Sequence, residues 1–279
     1  MRAYTALTCR SDRVTLDLLS ALGESLPITG ILDEGESITY YFDEGGLTPE
    51  VETTIREWVP RSAIAHIETS RIEEQNWNAE FEGSLEPVRI SPNLVITQSW
   101  HPIASSSPDD LVVVIDPKMS FGTGHHESTR LIARLLSQRP LDGRRVLDVG
   151  TGTGVLAIIA WKRRCGYVLA LDNNEWSVQN ALENVTLNEA TGVVVMQGEL
   201  ADVQASDFDL ILANIHRNVI IELLPAMTAK LSMRADSSLL TSGVLIEDYA
   251  SLVDAARASG LHPVEEEREH EWIATRFQR

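Results

Sequence analysis

Residues 146–158 read VLDVGTGTGVLAI, an apolar strand, a turn with a glycine at every second position, and an apolar helix. A strand running directly into a glycine turn and a helix opens a βαβ unit, and commits the chain around it to a doubly wound α/β sheet with a ligand crevice at the strand ends. The surrounding pattern agrees. From residue 111 onward the apolar strands LVVVIDP, RRVLDVG, YVLALDN, VVVMQG, FDLILANI and SSLLTSGVL alternate with helical stretches such as HESTRLIARLLSQ and EWSVQNALENVTLN. That alternation predicts a parallel sheet covered on both faces, with LVVVIDP as one of its strands. The ending, HPVEEEREHEWIATRFQR, holds two alternating segments joined near Glu269–His270 and predicts a terminal antiparallel hairpin.

Glycine spacing selects the ligand class. Gly150, Gly152 and Gly154 run G-x-G-x-G, with Val155 where a dinucleotide fingerprint has its third glycine, so pyrophosphate binding is disfavoured. No Gly-Lys-Ser/Thr sequence completes a Walker loop here. With Asp148 the motif becomes D-x-G-x-G-x-G, which resembles the first motif of class I S-adenosylmethionine-dependent methyltransferases. That cofactor carries no phosphate; its sulfonium and amino-acid end call for close backbone approach and a nearby carboxylate.

Asp172 closes the next strand, 22 residues after Gly150, where a carboxylate accepts the hydroxyls of a ribose lying across the strand ends. Capping of the helix that begins near Glu175 is the competing reading. After the third strand, Glu199 is placed either to meet the adenine amino group or as an ordinary surface acid.

The front of the chain is organised differently. Residues 1–72 run strand YTALTC, helix SDRVTLDLLSALG, strands PITGILDE and SITYYF, helix TPEVETTIREWV and strand AIAHIET, the βαββαβ order of a small α+β ferredoxin-like domain. In the first helix, Val14, Leu18 and Leu22 recur every four residues and predict the buried face; Ser11 or Asp12 is its expected cap. Residues 73–110 are rich in turn formers and read as a linker, partly helical, joined to a short hairpin turning at Ser91, Pro92 and Asn93. The remainder, 111–279, forms the sheet domain.

Composition narrows the function classes. The formal net charge is −18, and residues 1–100 hold seven Lys and Arg against 17 Asp and Glu, which opposes direct binding of nucleic acid. No apolar run approaches the ~20 residues of a membrane span, and the start has no signal-peptide core, so the expectation is a cytoplasmic protein. Cys9 and Cys165 stand far apart without a Cys/His pattern and read as packing residues. The adjacent His125 and His126 lack a third ligand at a familiar spacing, so no metal is expected.

Four stretches together carry a family resemblance: QNWNAEF at 75–81, DPKMSFGTGHHESTR at 116–130, VLDVGTGTGVLAI, and ANI at 213–215. The chain resembles the PrmA family, methyltransferases of ribosomal protein L11 of the large subunit, over essentially its whole length. The resemblance implies S-adenosylmethionine as cofactor, transfer to lysine side chains and the α-amino group, and a front domain that recognises the ribosomal protein. It also implies that the Phe121–Thr129 loop folds over the methionine end of the cofactor. There Gly122 and Gly124 permit close passage, Thr129 supplies a hydroxyl, and Asn214 touches the cofactor and orients the incoming amine. Asn214-Ile215-His216-Arg217 departs from the Asn-Pro-Pro-aromatic segment of enzymes that methylate planar nitrogens. The cofactor set expected on this reading is Phe121, Gly122, Thr129, Gly150, Gly152, Asp172 and Asn214, in a monomer. Two alternatives stay open: a methyltransferase of another protein or a small amine, and a noncatalytic ribosome-associated module that keeps the pocket.

Overall fold

The computed structural model describes residues 3–23, 25–58, 64–73, 83, 85–103, 110–118 and 120–279. The QNWNAEF stretch and the helical part expected of the linker lie outside them. The chain forms two compact units, Met1–Trp77 and Asn78–Arg279.

The first unit is ferredoxin-like. Strands β1 (Ala3–Ser11), β2 (Gly30–Asp33), β3 (Ser37–Asp43) and β4 (Ile64–Glu73) make an antiparallel sheet in the order β2-β3-β1-β4, with helices α1 (Arg13–Gly23) and α2 (Pro49–Trp58) as the crossovers. Asp12 caps α1 by accepting the Thr15 amide, and Pro49 opens α2 behind Thr48. The buried stripe of α1 differs from the expected one. Leu16, Leu19 and Leu22 go inward against Tyr40 and Phe42, while Val14 and Leu18 are 72% and 51% exposed. The helix carries two overlapping apolar stripes, and the three leucines bury more surface on a single sheet face than the four-residue series does.

The second unit centres on a seven-stranded sheet ordered β10-β9-β8-β11-β12-β14-β13. Its strands are β8 (Arg145–Val149), β9 (Tyr167–Asp172), β10 (Val193–Gln197), β11 (Leu210–Asn214), β12 (Ser238–Leu245), β13 (His262–Glu269) and β14 (Trp272–Gln278). The first five in this order along the sheet, β10 to β12, are parallel; β14 and β13 close the edge as the expected antiparallel hairpin. Alternate residues of each strand feed two cores. Val146, Val168, Leu212 and Leu240 pack with α3 (Glu127–Ser137) and α4 (Val155–Lys162). Leu147, Leu169, Ile211 and Leu239 pack with α6 (Arg217–Lys230) and α7 (Tyr249–Ala258). Sheet order reverses between β8 and β11, so the turns after these two strands border the crevice of a doubly wound fold.

LVVVIDP is not a strand of that sheet. Its residues Leu111–Val114 form β7, which pairs in parallel with β6 (Leu94–Thr97) and, through it, with β5 (Val88–Ser91) in a separate three-stranded sheet over α3 and α4. The hairpin read as part of a linker thus belongs to the second unit. The free edge of β7 is satisfied by side chains of α5 (Glu175–Leu187) and its C-cap: Asn188 Oδ1 accepts the Val114 amide and its Nδ2 donates to the Val114 carbonyl. One turn earlier Asn184 Oδ1 accepts the Asp116 amide, and Nδ2 donates to the carbonyls of Asp116 and Thr153. Asn180 donates to the same Asp116 carbonyl. Periodicity registers an apolar strand but not which neighbour completes its ladder, and here amides stand in for a neighbouring strand.

Asn184 is fully buried, so its truncation leaves buried backbone groups unpaired. Asn184→Ala should lower the stability of the second unit by about 1–3 kcal/mol in urea denaturation followed by circular dichroism.

Candidate active site

The glycine turn is held from three sides. From β9, the Leu171 carbonyl accepts the amides of Gly150 and Thr151, and Asp172 Oδ2 accepts the Gly152 amide at 2.9 Å. From within, the Thr151 hydroxyl donates to the fully buried Asp148 at 2.6 Å. From the segment ahead of α3, the Phe121 carbonyl accepts the Thr153 amide and the Gly122 carbonyl accepts the Thr153 hydroxyl, both at 2.9 Å. The FGTGHHESTR loop and the glycine turn are therefore one wall.

Two positions of the turn admit only glycine. Gly150 has φ +71°, and a Cβ there would lie 2.3 Å from Ile215 Cγ2. Gly152 has φ +56°, and a Cβ there would lie 2.3 Å from the Phe121 carbonyl oxygen. A side chain at Gly152 would strain the backbone and push the two loops apart, and one at Gly150 would strain it and collide with the residue that follows β11.

The remaining expected residues fall around the same turn. Thr129, wholly buried in the first turn of α3, accepts Asn214 Nδ2 at 3.2 Å. That bond turns the amide so that Asn214 Oδ1 is left buried and without a partner, as is Asp148 Oδ1. Phe121 is 53% exposed, and its ring meets His126 edge-on with centroids 5.2 Å apart; His126 in turn meets Trp272 at 4.7 Å. His126 is the N-cap of α3, its Nδ1 accepting the Ser128 amide, and the His125 carbonyl receives the Arg130 guanidinium. Asp172 is not the cap of α5: Asn174 is, accepting from Trp176 and Ser177, while Asp172 Oδ1 takes the Asn174 amide. Glu199 heads a short 3-10 turn, where its amide donates to Asp202 Oδ2. An open cavity of about 400 Å³ lies alongside, lined by Gly150, Asp172, Gly198, Glu199, Leu200 and Ile215 among others.

Thr153, Ile215 and Trp272 were not among the expected residues. Thr153 has a weak signal, a hydroxyl between two glycines, and Ile215 lies in the ANI stretch beside Asn214; Trp272 has none, since only folding brings it to the loop.

A glycine turn gripped by a carboxylate from the neighbouring strand, at the reversal point of a seven-stranded sheet that ends in an antiparallel hairpin, is the architecture of the class I S-adenosylmethionine-dependent methyltransferases, and this unit has that fold. The chain matches the family model for ribosomal protein L11 methyltransferase (PrmA) over residues 14–279. It is 36% identical to the ribosomal protein L11 methyltransferase of Chlorobaculum parvum over 283 residues, covering 97% of this chain and 95% of that one. The protein of the same name from Bacteroides fragilis is 32% identical over 262 residues, covering 90% and 92%. A crystal structure of a ribosomal protein L11 methylase from Lactobacillus delbrueckii subsp. bulgaricus superposes with a TM-score of 0.64 at 29% identity, covering 70% of this chain and 99% of that one. The chain belongs to the ribosomal protein L11 methyltransferase family.

Burial pushes the Asp148 carboxyl up to about 7, against the lowering by the Thr151 hydroxyl, and the neighbouring Asp172 charge adds to the rise. A carboxyl raised in the folded state holds its proton there after the unfolded chain has released it. Its contribution to stability is therefore full below the ordinary value of 3.8 and is lost as pH rises to about 7. Asp148→Asn should abolish that part of the pH dependence, leaving a flatter melting-temperature profile between pH 4 and pH 7 than the wild type in scanning calorimetry.

Proposed function

We propose that the protein transfers methyl groups from S-adenosylmethionine to lysine side-chain and N-terminal amino groups of ribosomal protein L11, as a cytoplasmic monomer. Family membership supports the reaction and the substrate. The single observation supporting the chemistry is the Thr129–Asn214 pair: a buried amide whose nitrogen is engaged, and whose oxygen is a free acceptor beside the glycine turn.

The residues present suit the cofactor. In our reading Gly150 and Gly152 let the backbone approach it, and Asp172 accepts the ribose hydroxyls with lone pairs not used by the Gly152 and Asn174 amides. Glu199 faces the adenine end of the cavity. Phe121 and Gly122 cover the methionine end, and Thr129, which accepts from Asn214, keeps its own hydroxyl proton to donate. We assign substrate recognition to the first unit and methyl transfer to the second. The acidic balance of the chain suits a basic protein substrate and opposes direct contact with RNA.

When bound, the cofactor supplies a methyl group on a sulfonium, transferred in line to an attacking lone pair. Asn214 Oδ1 accepts a hydrogen bond from the incoming nitrogen and orients that lone pair. A free lysine titrates near ~10.4, so its amine must reach the site neutral; beside a bound sulfonium the ammonium form would be disfavoured by like charge. No covalent enzyme intermediate is required.

Two measurements check this. Asp172→Ala should weaken S-adenosylmethionine binding at least tenfold in calorimetry, and unchanged affinity would remove the ribose assignment. With labelled cofactor and purified ribosomal proteins, the label should appear on lysines and the N-terminus of L11; label on other residues or another protein would refute the proposal.

A further inference from the structure

The alternating glutamates of β13 have no part in the reaction as described, yet they form a ladder with the arginines of α3. Glu269 accepts from Arg130 Nε at 2.8 Å and from Nη2, and its other oxygen accepts from Arg134. Glu267 accepts from Arg134 at 3.4 Å, and Glu265 is bonded by Arg139 and, at 2.8 Å, by Arg276. Arg130 and Arg134, one helical turn apart, meet Glu269 and Glu267, two apart on the strand, while Arg139 reaches Glu265 from just past the helix end.

The rung at Glu269 is unlike the others. The Arg130 guanidinium that it holds has its third nitrogen, Nη1, on the His125 carbonyl oxygen, inside the FGTGHHESTR loop. Three residues further on, at the other end of the hairpin turn, Trp272 packs edge-on against His126, whose ring meets Phe121. The turn between β13 and β14 thus reaches the loop twice, once by charge and once by an aromatic chain. Burial raises the Glu269 carboxyl, but hydrogen bonds from Arg130 and Arg134 outweigh it and hold it below the usual range, so the rung is charged at neutral pH. Arg130 and Glu269 are 19% and 22% exposed, sheltered enough for the pair to act as a fixed strut, unlike a mobile surface ion pair.

We propose that the turn of the C-terminal hairpin sets the position of the loop that covers the methionine end of the cofactor, Glu269 acting through Arg130 and Trp272 acting through His126. Both are positioning residues. The inference rests on the cofactor reading of that loop given under Proposed function. Glu127, 3.3 Å from Arg130 Nη2, adds a contact from α3 to the same turn, its carboxylate lying 3.2 Å from Nδ1 of the exposed His270.

The test uses the full-length chain, with S-adenosylmethionine affinity from calorimetry, melting temperature, and hydrogen exchange of the amides of residues 121–126. Glu269→Gln should weaken cofactor binding about tenfold and speed exchange in the loop. Arg130→Lys, which keeps the charge but cannot span Glu269 and the His125 carbonyl together, should do the same. Trp272→Ala should loosen the loop and Trp272→Phe should restore it. Glu267→Gln, one rung further from the loop, should lower the melting temperature but leave affinity and loop exchange within twofold of wild type. Wild-type affinity and exchange in Glu269→Gln and Arg130→Lys would overturn the proposal, as would equal losses in Glu267→Gln, the mark of a merely stabilising ladder. Normal cofactor binding by Asp172→Ala would count against the cofactor reading instead, while loop exchange would still decide the positioning.

Discussion

Everything at the site depends on three asparagines in one stripe of α5 and its C-cap. Asn180, Asn184 and Asn188 are buried, and their amides satisfy the edge of β7 and the chain leaving it at Val114 and Asp116. Asn184 also donates to the Thr153 carbonyl, so the segment entering the FGTGHHESTR loop and the glycine turn share one side chain. Asn180 Oδ1 keeps no partner, but the backbone groups at Val114 and Asp116 are paired, and a buried one left unpaired costs more than a surface bond gains. With Asp116 and Thr153 tied to one side chain, the Phe121 and Gly122 carbonyls lie within hydrogen-bonding distance of Thr153.

The charges of this acidic chain are used unevenly. Arg130, Arg134, Arg139 and Arg276 are drawn into the contact between α3 and the terminal hairpin, where Glu265, Glu267 and Glu269 meet them. Crevice acids keep other company. Asp148 is buried against a hydroxyl, and Asp172 is shared between two backbone amides. Among the described residues neither is paired with an arginine, while the ion pairs at the hairpin brace the helix that carries Thr129 and the His126 cap.

Much of this was legible in the chain before folding. The D-x-G-x-G-x-G spacing pointed to a phosphate-free nucleoside cofactor, and the strands, the crossover helices and the terminal hairpin followed from period and punctuation. Phe121, Gly122 and Asp172 are hydrogen-bonded to the turn of Gly150 and Gly152, and Thr129 and Asn214 to each other. Errors arose where two readings share one pattern. LVVVIDP is as apolar as a central strand but is completed by asparagine side chains, and α1 has two apolar stripes of which the structure buries the one through Leu16 and Leu19.

By itself the sequence determined the local geometry: which residues extend, which turn, and where a glycine is obligatory, because these depend on neighbours within a few positions. Tertiary structure alone decided the contacts that cross the chain. Asn214 facing Thr129, Ile215 lying over Gly150, and Trp272 reaching the ring of His126 join residues separated by 85, 65 and 146 positions. No periodicity spans such distances; those pairings are selected only when both sheet faces are packed and every buried polar group must find a partner.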